Sequence, residues 1–201
     1  MESPTYWGAI NAAAQAGVRV IPVPSGTRGP DPDDVARAFD ETGARAIYTQ
    51  PNFANPTGAQ WSSARALQIL DIVRSRSAFI VEDDWAHDFG IDGEVVPLAA
   101  NDDAGHVVYL RSLTKSVSPS IRVAAVIARG PARERIRKDH AAEAMYVSGH
   151  LQAAALDVLT HPGWHTHLRQ LRHQLRARRD LLITSVNEHA PSAHIDEIPR
   201  G

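Results

Sequence analysis

The sequence predicts an α/β protein, and three observations carry that prediction. Helical and extended patterns alternate along the 201 residues without internal repeats or low-complexity linkers. Several short apolar runs show no polar alternation, which marks strands buried within a sheet. Polar and charged residues cluster directly after those runs, at the strand ends where open α/β sheets bind ligands.

Taken in order, residues 4–16 read as an alanine-rich helix closed by Gly17, and VRVIPV at 18–23 as a short strand. Asp31 has the chemistry of an N-cap, with Pro32 at the first helical position, acids at Asp33 and Asp34, and Gly43 as the stop. ARAIYT at 44–49 is the next strand. Leu67, Leu70 and Val73 recur at helical spacing beside Ile69 and Ile72, which predicts a helix running to about Ser75. AFIV at 78–81 reads as a strand buried on both faces, and HVVYL at 106–110 and VAAVIA at 123–128 as two more buried strands. From Ala132 the pattern is helical, with breaks near Ser148-Gly149 and at HPGW, 161–164. A last helix from Thr166 to about Glu188 carries Leu168, Leu171, Leu175, Leu182 and Val186 on one side. An extended pattern begins beyond Ala190, so the chain is expected to be a piece of a longer one.

Composition narrows the function classes. A chain 43% hydrophobic and 22% charged has the apolar content of a folded domain, and a net charge of -2 spread over interleaved acids and bases supplies no field for nucleic acid or anionic membrane. There is no cysteine, which excludes disulfides, thiol catalysis and sulfur-bound metal. No apolar run approaches a membrane span and the first residues do not have the pattern of a signal peptide, so a cytoplasmic protein without membrane partners is expected. Neither a G-x-G-x-x-G after a strand nor a G-x-x-x-x-G-K is present, which argues against a nicotinamide-binding Rossmann domain and a P-loop.

Three strand-end loops concentrate the remaining chemistry. The first is QPNFANPTG at 50–58, where Asn55-Pro56-Thr57-Gly58 is by composition a turn. The second is EDDW at 82–85. Its three consecutive carboxylates repel one another, and they could cap a helix, hold a divalent metal or meet a ligand cation. The third is RSLTKSVSPSIR at 111–122. A lysine amine is nucleophilic only when neutral, which burial or a neighbouring cation such as Arg122 favours. Ser112, Thr114, Ser116, Ser118, Ser120 and the Arg122 guanidinium fork suit a phosphate. His87 and Asp88 stand close enough to brace the acid run or to face solvent. His161, His165, His167 and His173 lack an acidic partner at ligand spacing, so no metal site is expected. Arg169, Arg172, Arg176, Arg178 and Arg179 read as the solvated face of an amphipathic helix.

In order and spacing, YTQPNFANPTG, FIVEDDW and SLTKSVSPSIR resemble the fold-type I pyridoxal-phosphate enzymes, specifically the class I/II aminotransferases, and most closely the aminotransferase-like domain of MocR/GntR-type regulators. The resemblance extends from ESPTYWG at the start to LRQLRHQLRARRD near the end. It implies a three-layer α/β/α large domain with a mostly parallel mixed sheet, incomplete at both ends, over residues 1–160. Residues 161–201 would be a long connecting helix and the start of a small domain. It implies pyridoxal 5'-phosphate as cofactor, with Lys115 bonding the cofactor aldehyde and later moving a proton, and Asp83 against the pyridine nitrogen. Asn55 would hydrogen-bond the phenolic oxygen, and Ser112, Thr114 and Arg122 would hold the phosphate. Trp85 stands where the family usually has a tyrosine at the phenolic oxygen, and Ala124 where relatives often place glycine. The family's Gly-rich phosphate loop, ring-stacking aromatic residue and substrate-carboxylate arginine have no match in the chain.

Two functions follow from the resemblance. One is an aminotransferase moving an amino group between an amino acid and a 2-oxo acid. The other is the effector-sensing domain of a transcription regulator that uses the same lysine chemistry on an amino acid or amine, meeting DNA only through an upstream domain. A truncated product without activity is a third possibility, and a homodimer is expected by resemblance.

Overall fold

The computed structural model describes residues 1–201 except Glu94, Ala144, Met145 and Asp196. Its centre is a four-stranded sheet in the order β4 (Ala46–Thr49), β5 (Phe79–Asp84), β6 (Val107–Ser112), β7 (Ala124–Ile127). β4, β5 and β6 are parallel and β7 runs antiparallel, so the sheet is mixed. A second sheet joins β1 (Glu2–Ser3), β2 (Val23–Gly26) and β3 (Gly29–Pro30).

Local chemistry explains the helices. In α2 (Pro32–Thr42), Asp31 caps by accepting from the Asp33 N–H at 2.9 Å, and Gly43 ends the helix at φ +64°, a conformation that costs glycine least. α3 (Ser63–Ser75) is capped by Ser62 and forms the crossover that lets β4 and β5 pair in parallel. Val35 and Phe39 of α2 and Ile69, Leu70 and Val73 of α3 meet Ile47 and Ile80 of the sheet in the main core. α4 (Gly130–Glu143), α5 (Gly149–Thr160) and α6 (Trp164–His189) follow, with α5 starting on a Ser148 cap. A smaller cluster of Leu113, Ile121 and Ala155 packs the loop after β6 against α5.

Several expectations are corrected. The first helix, α1, spans only Trp7–Gln15, and residues 18–22 form no strand. Pairing there is confined to Val23 and Pro24 opposite the two residues of β1, while Pro22 offers no N–H to extend the ladder. β5 runs through its acids to Asp84, and it is fully buried on one face only, with Ile80, Glu82 and Asp84 inward and Phe79, Val81 and Asp83 partly open. β7 is exposed at every residue rather than buried, because β6 pairs with one edge and no described strand pairs with the other. On α6, Trp164 and Leu168 are buried but Leu182 is exposed. Arg176 and Arg179 are not merely solvated: both bind Asp92, at 2.6 and 2.5 Å, and tie α6 to the loop after β5.

One buried group sets the geometry beside β4. Glu2 is 2% exposed and accepts hydrogen bonds from Ser25 Oγ (3.1 Å), Thr49 Oγ1 (3.0 Å), the Gln50 N–H (2.7 Å) and Trp61 Nε1 (3.3 Å). Burial raises its pKa, and these donors oppose the rise. The small residue at Gly29 is required here: its φ is +83°, and a Cβ would lie 2.3 Å from the Trp61 ring.

Candidate active site

The ends of β4, β5, β6 and β7 border a cleft of about 560 Å³. It is lined by all seven residues picked out in the sequence: Asn55, Asp83, Trp85, Ser112, Thr114, Lys115 and Arg122. Tyr6, Gln50, Val123 and Ala124 complete the wall.

Each residue arrives by a local device. The loop of Asn55 turns through Phe53 at φ +56° and is closed by the Ala54 N–H donating to the Ala59 carbonyl at 3.0 Å. Buried Phe53 anchors it. In β5 the two-residue period of a strand sorts the three acids. Asp83 faces the cleft, whereas Glu82 and Asp84 are buried on the opposite face. After β6 the Leu113 N–H donates to the Val123 carbonyl at 3.1 Å, closing residues 113–123 into a loop that sets Ser112 and Arg122 on one border. Leu113 and Ile121 bury that loop's apolar side, and Lys115 is exposed on the other. Arg122 sits at φ +46°, a left-handed backbone that only surrounding structure sustains in a non-glycine residue.

The three carboxylates now have separate environments. Asp83 Oδ2 accepts from Tyr48 Oη at 2.5 Å and from Gln50 Nε2 at 3.2 Å. Burial raises its pKa, opposed by those two donors and assisted by Asp84. Glu82 accepts the N–H groups of Leu98 and Ala99, both at 2.8 Å, at the start of the 3₁₀ turn Leu98–Asn101. Burial outweighs those bonds and pushes its pKa up to about 7. Asp84 accepts from Tyr109 Oη at 2.7 Å and pairs with His87 Nδ1 at 2.7 Å, while Asp88 binds Arg111 at 2.8 Å. His87 therefore braces the acid run through Asp84, whereas Asp88 ties the following turn to Arg111 of β6. Glu82 caps a turn, but neither Asp83 nor Asp84 caps the residues that follow.

The serines divide as well. Ser112 Oγ accepts from the Thr114 N–H at 3.2 Å at the cleft border. Ser116 is buried beneath the loop and its hydroxyl has no partner among the described residues, and Ser118 accepts from the Ser120 N–H. None of these last three lines the cleft, so of the loop hydroxyls whose chemistry suits a phosphate only Ser112 and Thr114 border it.

Two polar cleft residues were not singled out by sequence reading. Gln50 lies inside the first loop motif, but glutamine is ordinary in a loop and nothing in its spacing signals burial. Tyr6 precedes the first helix, where an aromatic residue reads equally well as core. No group of three or more potential metal-ligating side chains occurs among the described residues.

Comparison with known proteins gives this cleft a context. The chain is 30% identical to the uncharacterized HTH-type transcriptional regulator YdfD of Bacillus subtilis, over 100% of the chain and 42% of that protein. It is 27% identical to the 2-aminoadipate transaminase of Thermus thermophilus, over 100% of the chain and 51% of that protein. The crystal structure of LysN, an alpha-aminoadipate aminotransferase from Thermus thermophilus complexed with N-(5'-phosphopyridoxyl)-L-leucine, superposes with a TM-score of 0.89 at 27% identity, covering 100% of the chain and 52% of LysN. The chain thus spans about half the length of the proteins it matches. Since the profile of aminotransferase class I and II matches residues 1–198, a chain with this cleft at the ends of its sheet belongs to the class I/II aminotransferase family.

Proposed function

We propose that the cleft holds pyridoxal 5'-phosphate and serves amino-group transfer between an amino acid and a 2-oxo acid. The observation that carries this reading is the convergence on one cleft of Ser112, Thr114, Lys115 and Arg122 from the end of β6 and the loop after it, the partly open carboxylate Asp83 from the end of β5, and Asn55 from the loop after β4. The donor set fits the cofactor's ends. Ser112, Thr114 and Arg122 offer hydroxyls and a guanidinium to a phosphate. The indole Nε1 of Trp85 is a buried donor without a partner among the described residues, and with Asn55 it supplies what a phenolic oxygen would accept.

When bound, the cofactor supplies an electron sink for the carbanion formed at the amino-acid Cα. Lys115 Nζ would supply the nucleophile that anchors the cofactor and the base that carries the Cα proton. Asp83, with Oδ2 held by Tyr48 and Gln50, keeps a negative charge against the ring nitrogen. Arg122, at the cleft border, would hold the phosphate and so restrain the cofactor in the cleft.

The similarity to YdfD supports a second reading, in which the same cleft senses an amino acid or amine in a regulator whose DNA contacts lie outside residues 1–201. Under either reading we place the protein in the cytoplasm as a homodimer. No helix among the described residues is long and apolar enough to cross a membrane. Borohydride reduction in the presence of pyridoxal phosphate tests the common part: the label is expected on the peptide containing Lys115 and absent from Lys115→Ala. A label elsewhere would overturn the assignment.

A further inference from the structure

We propose that Gln50 is a positioning residue for the cofactor ring, a strut that holds Asp83 and the Asn55 loop in fixed register; the inference rests on the cofactor reading above. Gln50 is 1% exposed, although its type and its place just after a strand would let it face water. Its amide is used at both ends. Nε2 donates to Asp83 Oδ2 at 3.2 Å and Oε1 accepts from the Asn55 N–H at 2.9 Å. Its own N–H is fixed on Glu2 at 2.7 Å. The amide has one workable orientation, because a flip would set its oxygen against the carboxylate and its NH₂ against an N–H.

The consequence falls on Asp83. Tyr48 and Gln50 both donate to Oδ2, and no hydrogen bond among the described residues reaches Oδ1. The carboxylate cannot rotate without breaking two bonds, so Oδ1 remains the oxygen open to a donor in the cleft. The same amide holds the backbone of Asn55, whose side chain lines the cleft beside Asp83. Partners for two polar positions of one aromatic ring, its nitrogen and its phenolic oxygen, would thereby be spaced by a single buried side chain, a preorganisation of the kind that sites require within about 0.5 Å.

The test compares pyridoxal phosphate with 1-deazapyridoxal 5'-phosphate, which has carbon in place of the ring nitrogen. Equilibrium binding of both is measured on the unsubstituted protein, Gln50→Glu and Gln50→Leu, with circular dichroism and cooperative unfolding as checks on folding. Gln50→Glu is nearly isosteric, retains an acceptor for Asn55, and puts a carboxylate where the donor to Asp83 stood. The unsubstituted protein is expected to prefer pyridoxal phosphate by about tenfold, equivalent to about 1.4 kcal/mol. Gln50→Glu is expected to lose most of that preference while binding the deaza analogue as before, and Gln50→Leu to weaken both ligands. In the unsubstituted protein, the Gln50 side-chain ¹⁵N resonance is expected to shift more with pyridoxal phosphate than with the analogue, a readout that needs no variant. No preference in the unsubstituted protein would sink the ring-nitrogen role of Asp83 itself. A preference that persists in Gln50→Glu, or equal resonance shifts, would leave the cofactor reading standing and overturn the role of Gln50.

Discussion

The Tyr48 hydroxyl donates to Asp83 Oδ2 at 2.5 Å, joining neighbouring parallel strands beneath a carboxylate that lines the cleft. Tyr48→Phe removes a donor that lowers the Asp83 pKa, so that pKa is expected to rise further above the ordinary carboxylate value. Contact with a ring N–H needs the carboxylate form, so pyridoxal phosphate binding should weaken as pH falls through the Asp83 pKa. In Tyr48→Phe the midpoint should lie at higher pH. Carboxyl ¹³C titration and binding across the acidic range would show both, and an unmoved midpoint would contradict the coupling.

Arg122→Ala tests the phosphate end. A charge-assisted hydrogen bond is worth about 1.5–3 kcal/mol, so affinity for pyridoxal phosphate is expected to drop on the order of ten- to a hundredfold. Pyridoxal, without the phosphate, should bind both proteins alike. An equal loss for the two ligands would mean that Arg122 supports the loop rather than the anion.

Glu82 predicts a pH dependence of stability. Its folded-state pKa is raised to about 7, so the folded state binds the proton more tightly than the unfolded chain does. The sign follows: the stabilisation is fully present below the ordinary glutamate value and is lost as pH rises through about 7. Urea unfolding between pH 5 and pH 8, taken as the difference between the unsubstituted protein and Glu82→Gln, should isolate this slope, on the order of 3 kcal/mol at most. A flat difference would refute it.

Gly29→Ala should destabilise the fold without touching the cleft. The new methyl would meet the Trp61 ring at 2.3 Å on a backbone at φ +83°, and overpacking together with left-handed strain costs about 3 kcal/mol. Thermal unfolding would register this as a lowered Tm. No change would show that Trp61 can swing aside.

How far the sequence could be read differs between the fold and the site. Asp31, Pro32 and Gly43 act through their immediate neighbours, so the bounds of α2 were legible from residue type alone. The strand proposed at 18–23 failed because its pairing depends on only two residues of β1, and β7 failed as a buried strand because exposure is decided by what packs beside it. At the site, resemblance singled out Asp83 from three adjacent acids, and strand periodicity then explains why that acid faces the cleft. Gln50 and Tyr48 were not singled out, since their hydrogen bonds to Asp83 span separations of 33 and 35 residues that no local pattern encodes.

Glu2 has a consequence for how the chain assembles. Its donors lie 23, 47, 48 and 59 residues away, so none is supplied by local folding. A partly docked first strand would bury this carboxylate before its partners arrive, and an uncompensated buried charge costs several kcal/mol. Half-formed intermediates of this region are therefore penalised until residues 25, 49, 50 and 61 are all in place. A single acid thus makes the folding of the first sixty or so residues more nearly all-or-none.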